Sequence, residues 1–265
     1  KNIEKDQGIE FNRLLDTLFL ERILVRVGKS KYKDQLVFKG GMCLSQFLNL
    51  GRGTKDIDFL LRELTSNEEN LKKIFEEIVA IDCEDGFAFS SIQVGQLSLE
   101  NKKYPGYRIS ISGTLGQIKN KTTIDISVGD VVRPRVVDVE LMKGTKALFE
   151  DSIELSAYPP EYIFSEKYEA IIYFDEINGR MKDYYDCHKL ITESVLDEEE
   201  LKVAIKETFE TRGTELGFIP ENVIDALESR WKSFLSKEKI EDKKLNELVA
   251  EINEFLKGLQ VNGLG

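Results

Sequence analysis

The spacing of apolar residues divides the chain into a mixed first half and a helical second half. Apolar positions recur at helical intervals over residues 9–27 and predict a first amphipathic helix. Short apolar runs at 36–38 and 57–61 predict two buried strands, with a short helix over 42–48 and a polar turn between them. Helices and strands therefore alternate near the N-terminus, which is typical of an α/β fold.

The segment from 87 to 128 changes to a period of two, which is typical of strands. Three strands are predicted at 89–94, 107–113 and 122–128, and the turns between them at 104–106 and 119–121. Upstream of them, Ser66 and Glu69 predict a capping box at the start of a helix. Downstream, residues 133–146 show little periodicity and predict a solvated loop with a short strand.

Pro159 and Pro160 mark the change to the helical half, because proline suits the first turn of a helix. Five helices are predicted at 160–174, 180–191, 198–211, 220–236 and 242–259. They predict a C-terminal helical bundle. We therefore expect two domains, an α/β domain with a mixed sheet over 1–155 and a helical domain over 156–265.

Composition and charge narrow the classes of function. The 265 residues carry 48 acidic and 37 basic side chains, so the net charge of −11 argues against binding nucleic acid through the overall field. One histidine and three cysteines without a CxxC pattern argue against a histidine-rich metal cluster and a disulfide framework. No apolar run is long enough to span a membrane and no signal peptide is visible, so we expect a cytoplasmic protein.

Two carboxylates and two glycines predict a site for a metal-bound nucleoside triphosphate. Asp56 and Asp58 open the strand at 57–61, and their spacing of two places both side chains on one face. Such a pair is costly unless a cation lies between the carboxylates, and carboxylate oxygens are ligands that Mg²⁺ prefers. Gly40 and Gly41 lie just before a helix, where backbone N–H groups can hold a phosphate.

Asp125 is the candidate for a third acid. It alternates with buried isoleucines in the strand predicted at 122–128. If this strand lies beside the strand that carries Asp56 and Asp58, the three carboxylates converge. Asp130, in the loop that follows, is the rival, although the preceding Gly129 favours a turn there.

Three basic residues are candidates for contacts with phosphate. Arg52 and Lys55, in the turn before Asp56, could contact phosphate or the acceptor, and Arg52 could equally pair with a neighbouring acid. Lys167 shares the apolar face of the helix at 160–174. It either extends along the edge of that face or reaches triphosphate oxygens, where it would offset charge during phosphoryl transfer.

Asp183 and Asp186 are three residues apart and lie on one face of the helix at 180–191. They could orient Lys167, hold the nucleobase or ribose, or act as a general base on an incoming hydroxyl. They could also simply pair with Arg180 and Lys182. The sequence does not separate these roles, so both acids are candidates.

Several segments together resemble a known family. Gly-Gly followed by Asp-x-Asp on a strand is typical of the DNA polymerase β-like nucleotidyltransferase superfamily. The fuller string FKGGMCLSQF…GRGTKDIDFLL is similar to the AbiEii/AbiGii toxin family within it. The segment EKYEAI resembles the third motif of that family, and RMKDYYDCHKL resembles the fourth. Met42 stands where the family usually has a small hydroxyl residue, which leaves the backbone to donate to phosphate.

The resemblance implies a polymerase β-like core and an enzyme that moves a nucleoside monophosphate from a nucleoside triphosphate to an acceptor hydroxyl, with release of pyrophosphate. Mg²⁺ or Mn²⁺ would be held by Asp56, Asp58 and Asp125. The residues implied in catalysis are Asp56, Asp58, Asp125, Lys167, Asp183 and Asp186, and those implied in nucleotide binding are Gly40, Gly41, Met42, Arg52, Lys55 and Lys167.

The same resemblance implies a toxin of a bacterial toxin–antitoxin or abortive-infection system, that is, a role in phage defence. The acceptor would be RNA, in particular the 3′ end of tRNA, and a separate winged-helix protein would be the antitoxin. Two alternatives stay open. An acidic chain would suit a cationic acceptor, as in a nucleotidyltransferase that modifies aminoglycosides. Loss of the hydroxyl at Met42 would suit a nucleotide-binding module without catalysis.

Overall fold

The computed structural model describes residues 11–52, 54, 56–97, 106–142, 148–149, 152–241 and 243–261. The chain forms two compact units. The first comprises Lys1–Gln46, Thr54–Gly129 and Pro134–Ala157, and the second comprises Phe47–Gly53, Asp130–Arg133 and Tyr158–Gly265. Two short segments that precede the predicted boundary at residue 155 therefore belong to the second unit, namely Phe47–Gly53 and Asp130–Arg133.

The first unit contains three helices and a sheet of seven strands among the described residues. Its elements are α1 (Phe11–Lys29), β1 (Leu36–Lys39), α2 (Gly40–Leu44), β2 (Ile57–Leu61), α3 (Glu68–Val79), β3 (Phe87–Leu97), β4 (Gly106–Leu115), β5 (Ile118–Val128), β6 (Arg135–Glu140) and β7 (Ser152–Ala157). Helix α1 packs against α3, β5 and β7, as its apolar spacing requires.

The sheet is mixed, which confirms the predicted fold class. The strand order is β3-β4-β5-β2-β1-β7-β6. The pairs β2–β5 and β1–β7 are parallel, and the other neighbouring strands are antiparallel. Ile124 and Ile126 of β5 are fully buried, whereas Asp125 between them is half-buried. The period of two therefore separates an apolar face from a polar face of the central strands.

The turn predicted at 119–121 is wrong. Strand β5 begins at Ile118, and its pairing with β4 runs back to the pair Leu115–Ile118. The chain reverses at Gly116, whose φ of +57° favours glycine. Lys119 and Lys121 are exposed on the strand. Lysine and asparagine resemble turn composition there, but the hairpin is closed by the glycine.

The predicted capping box is also wrong. Helix α3 is capped by Asn67, whose side chain accepts a hydrogen bond of 2.8 Å from the backbone N–H of Asn70. Ser66 instead uses its carbonyl oxygen, which accepts a hydrogen bond of 2.8 Å from the hydroxyl of Tyr107. Asparagine and serine are comparable N-cap residues, so composition alone does not choose between neighbours.

Strand β6 lies within 133–146, where a short strand was predicted, whereas β7 was missed. β6 and β7 pair in antiparallel register from Arg135–Ala157 to Glu140–Ser152. β6 is an edge strand whose side chains are largely exposed, and this weakens the alternation of apolar and polar residues.

The second unit is helical, and the predicted helical bundle is present. Its described elements are α4 (Pro160–Phe174), a 3₁₀ turn (Asp175–Ile177), α5 (Met181–Thr192), α6 (Glu198–Arg212), α7 (Asn222–Glu238) and α8 (Leu245–Leu259). Helix α4 packs against α5 and α6, and α5 packs against α7 and α8. Trp231 of α7 is fully buried and donates a hydrogen bond of 2.7 Å to the carbonyl oxygen of Lys243. No helix among the described residues is both long enough and apolar enough to cross a membrane.

Candidate functional site

Four charged residues lie in a row across four neighbouring strands of the first unit. Lys39 of β1 is paired with Asp58 of β2, Asp58 with Asp125 of β5, and Asp125 with Arg108 of β4. Residues directly opposite each other on neighbouring strands point to the same face of the sheet. The structure therefore brings Asp58 and Asp125 together through the parallel pairing of β2 and β5, as expected from the sequence.

Arg108 holds the carboxylate of Asp125 with both of its oxygens engaged. Its Nε donates to Oδ1 at 2.8 Å, and its Nη2 donates to Oδ2 at 2.7 Å. The side chain of Arg108 is 50% exposed and that of Asp125 is 24% exposed. These hydrogen bonds and the charge of Asp125 raise the pKa of Arg108, and the charges of Asp56 and Asp58 contribute in the same direction.

Gly40 lies directly against the carboxylate of Asp58. A Cβ atom added at Gly40 would be 1.9 Å from Oδ2 of Asp58, and the φ of +74° favours glycine independently. The first glycine of the pair is therefore required where the backbone approaches the acid. Gly41 follows in α2, and Met42 is only 5% exposed. The side chain of Met42 thus belongs to the core, and only its backbone is a candidate for a phosphate contact.

The first unit supplies carboxylate oxygens, which are the ligand type that a hard divalent cation prefers. Asp56, which directly precedes β2, and Asp58 supply carboxylate oxygens, and Asp125 is the register neighbour of Asp58. In the part of the chain that is described, no three His, Cys, Asp or Glu side chains are grouped so that they could hold a metal ion. Asp125 is instead paired with Arg108, so a third ligand would require that pair to open.

A second cluster of charges lies within the second unit, on α4, α5 and the segment that carries Arg52. Nζ of Lys167 lies 2.8 Å from an oxygen of Asp183 and 2.8 Å from an oxygen of Asp186. Nε of Arg52 donates to Oδ1 of Asp186 at 2.8 Å, and Arg180 pairs with the other oxygen of Asp183. We call these five residues the lysine cluster. Its positive and negative charges alternate, so each acid has two cationic partners.

Burial and charge act in opposite directions in the lysine cluster. The side chains of Asp183 and Asp186 are fully buried and that of Lys167 is 9% exposed. Burial alone would raise the pKa of Asp183, but the charges of Lys167 and Arg180 lower it to about 2. Burial likewise opposes the charge of Lys167, yet the two carboxylates outweigh it and raise its pKa. Asp183 and Lys167 are therefore both charged at neutral pH.

These contacts bear on three questions that the sequence leaves open. Asp183 and Asp186 both contact Lys167, Arg52 pairs with an acid, and Lys167 is enclosed by carboxylates rather than extended along the edge of its helix. Asp130, the rival for the third acid, belongs to the second unit and pairs with Arg212, with 3.0 Å between Oδ1 and Nη2. Lys55 lies outside the described residues.

Lys39 and Arg108 are two candidate residues that the sequence analysis missed. Lys39 is 8% exposed, and its Nζ donates to the hydroxyl of Ser127 at 3.4 Å. Its place directly before the glycine pair was a visible signal. For Arg108 the only signal was its position on the polar face of a predicted strand, since its partner depends on the register between β4 and β5.

Comparison with family models identifies the family of this chain. Residues 22–254 match the family described as nucleotidyl transferase AbiEii toxin, type IV toxin–antitoxin system. Comparison with curated proteins gives no match.

Solved structures share the fold. JHP933 from Helicobacter pylori is 15% identical with a TM-score of 0.58, and the match covers 95% of this chain and 93% of that chain. MenT4, a nucleotidyltransferase toxin from Mycobacterium tuberculosis H37Rv, is 14% identical with a TM-score of 0.55, and the match covers 93% of each chain. Because the family match spans most of the sequence, the chain belongs to the AbiEii family of nucleotidyltransferase toxins of type IV toxin–antitoxin systems.

Proposed function

We propose that this nucleotidyltransferase moves a nucleoside monophosphate from a metal-bound nucleoside triphosphate to a hydroxyl of RNA, in particular the 3′ end of tRNA. The observation that carries the metal and triphosphate part is the parallel pairing that sets Asp58 beside Asp125, with the backbone of Gly40 against Asp58. The RNA acceptor rests on the family alone.

Each residue of the first unit has a defined part in this proposal. Asp56 and Asp58 would hold Mg²⁺ or Mn²⁺, and Asp125 would complete the ligands. A bound ion would neutralise charge on the triphosphate and activate the attacking hydroxyl. Gly40 lets a phosphate approach the backbone, where Gly41 and Met42 would donate N–H groups. Lys39 adds a cation beside Asp58.

The lysine cluster is also proposed to serve the reaction. Two buried carboxylates and a buried lysine add little net stability to the fold, because the cost of desolvation offsets much of the attraction between them. Lys167 remains the proposed cation for the triphosphate, and Asp183 and Asp186 the proposed acids that position it. Arg52 and Lys55 are retained as proposed nucleotide-binding residues, with Arg52 held by Asp186.

Transfer to RNA can be tested directly. The protein is incubated with Mg²⁺, bulk tRNA and each of the four nucleoside triphosphates labelled at the α-phosphate. We expect one or more nucleotides to label tRNA, and we expect periodate oxidation of the tRNA 3′ end to prevent it. Asp58→Asn should abolish labelling. Arg62→Gln removes an exposed charge near the end of β2 and should not change it.

Other outcomes would contradict the proposal in distinct ways. Labelling of an aminoglycoside but not of tRNA would favour the small-molecule enzyme, and the acidic composition is the observation that supports it. Nucleotide binding without transfer to any acceptor in a cell lysate would favour a binding module. Labelling that persists in Asp58→Asn would overturn the assignment of the metal site.

The antitoxin is proposed to be a separate winged-helix DNA-binding protein, since the family belongs to type IV toxin–antitoxin systems. Induced expression of the chain should slow bacterial growth, and Asp58→Asn should relieve the effect. Co-expression of the neighbouring gene product should restore growth. Growth arrest by Asp58→Asn equal to that of the unmodified chain would separate toxicity from transfer.

A further inference from the structure

Arg108 occupies the carboxylate that the proposed metal site needs. Both oxygens of Asp125 accept hydrogen bonds from the guanidinium, at 2.8 and 2.7 Å. A divalent cation bound to Asp125 in this arrangement would stand within a few ångströms of the positive charge of Arg108. The two cations would repel each other, so the metal and Arg108 compete for Asp125 in this geometry.

We propose that Arg108 and the divalent cation are alternative partners of Asp125, and that Arg108, once displaced, binds a phosphate group of the nucleotide. This inference rests on the proposed function, because it takes Asp125 as the third metal ligand. Before the metal binds, Arg108 positions Asp125. After the metal has displaced it, Arg108 contacts the substrate.

Because the ion pair between Arg108 and Asp125 is partly exposed to solvent, breaking it costs little free energy. An ion pair between exposed side chains contributes little to stability, because water competes for both partners. Arg108 is 50% exposed, so its guanidinium can leave Asp125 and be hydrated without being buried again. Among the described residues, Asp125 is its only ion-pair partner. No second ion pair would therefore hold it in place after displacement, although the charges of Asp56 and Asp58 still attract it.

The position of Arg108 also explains why it would meet the nucleotide. Its strand, β4, directly neighbours β5, and its side chain lies on the same face as Asp125 and Asp58. A triphosphate that binds a metal on this face places phosphate oxygens near the guanidinium. Arginine binds phosphate with two parallel N–H groups, just as it now binds the carboxylate. Metal loading would thus convert Arg108 from a partner of an acid into a receptor for an anion.

The exchange predicts opposite effects of one substitution on two ligands. In Arg108→Gln without nucleotide, Mn²⁺ affinity measured by electron paramagnetic resonance should rise about fivefold, because the competitor is gone. In excess Mg²⁺, the affinity for inorganic tripolyphosphate measured by calorimetry should fall about tenfold, because a charged donor is lost. Arg108→Lys keeps the charge without the paired N–H groups. Both of its affinities should lie between those of the unmodified protein and those of Arg108→Gln.

Arg62→Gln is the matched control, because it removes the same charge from an exposed side chain of the same unit. It should leave both affinities within experimental error of the unmodified protein. Thermal melting of every variant checks that the fold is retained, and the Arg108→Lys variant carries the test if Arg108→Gln melts early.

Four results would overturn the inference or the proposed function. Unchanged or weaker Mn²⁺ binding by the Arg108 variants would overturn the competition. Unchanged tripolyphosphate binding would overturn the role as an anion receptor. If the unmodified protein transfers nucleotide and binds both probes while the variants match it, the inference alone fails. If the unmodified protein binds neither probe, the proposed function fails with it.

Discussion

At the scale of single residues, Gly40 is the position with the least freedom. Replacing it with alanine would place a methyl group 1.9 Å from Oδ2 of Asp58 in a backbone conformation that alanine disfavours. Asp58 would have to move away from its present position. We expect Gly40→Ala to lower the rate of nucleotide transfer about 100-fold, the effect of misplacing a catalytic group by about an ångström.

The control for this prediction is Gly95→Ala. A Cβ atom at Gly95 would meet no atom within 4 Å, and the residue lies in β3, away from Asp58 in the strand order. Transfer by Gly95→Ala should equal that of the unmodified protein. Full activity of Gly40→Ala would show that Asp58 tolerates displacement and would weaken its assignment as a metal ligand.

Glu21 predicts a specific dependence of stability on pH. Burial raises its pKa from 4.5 to about 7, although the backbone N–H of Met142 donates to both carboxylate oxygens at 2.9 and 3.0 Å. The folded protein therefore binds more protons at this site than the unfolded chain between pH 4.5 and 7. The free energy of unfolding should fall by about 3 kcal/mol across this window as pH rises.

Glu21→Gln isolates that contribution, because the amide keeps an acceptor for the N–H of Met142 but does not titrate. Urea unfolding of both proteins should be measured at pH 5 and pH 7.5. Relative to Glu21→Gln, the unmodified protein should have a lower free energy of unfolding at pH 7.5 than at pH 5. A difference that is constant across the window would show that the folded-state pKa of Glu21 is near its usual value.

Individual acids were predictable from the sequence, whereas their partners were not. Asp58 and Asp125 follow from alternation within a strand, which is a local property. Their partners depend on long-range structure. Arg108 lies 17 positions from Asp125 and meets it through strand register, and Arg52 lies 134 positions from Asp186. No local pattern specifies which guanidinium meets which carboxylate.

At the scale of elements, the cap of α3 gives a direct test of a wrong prediction. Asn67→Ala removes the acceptor for the N–H of Asn70 and should lower stability by about 1 kcal/mol. Ser66→Ala keeps the carbonyl that accepts from Tyr107, so its effect should be close to zero. Urea unfolding of the two variants decides between the caps, and a larger loss in Ser66→Ala would restore the predicted capping box.

Helix α4 was predicted well, because its start signal is strong, whereas strand β7 was missed. Helix α4 begins at Pro160 and ends at Phe174 as predicted, because proline fixes its first turn and the apolar spacing is continuous. Strands β6 and β7 depend on pairing with each other and, through β7, with β1. Such pairing is not local, so the alternation of Ile153, Leu155 and Ala157 with polar residues did not by itself identify β7.

At the scale of the whole molecule, the lysine cluster joins elements that are far apart in the sequence. Lys167→Met would leave Asp183 and Asp186 buried with fewer cationic partners. We expect the free energy of unfolding to fall by about 3–5 kcal/mol, the usual cost of removing one partner from a buried ion pair. Urea unfolding at pH 7 measures the loss.

Lys202→Met is the matched control, because Lys202 pairs with Glu199 at the surface of α6, with 2.6 Å between Nζ and Oε1. Its effect should be within about 0.5 kcal/mol of zero. An equally small loss in Lys167→Met would mean that the carboxylates of the cluster are neutralised in another way, for example by protonation.

The assignment of two short segments to the second unit has a consequence for biosynthesis. The chain passes between the units after residues 46, 53, 129, 133 and 157. Arg52 leaves the ribosome 134 residues before its acid, Asp186, a delay on the order of ten seconds at usual rates of translation. The second unit therefore cannot pair this guanidinium with Asp186 until residue 186 has emerged, so this ion pair forms late, and the unit is not completed in order from the N-terminus.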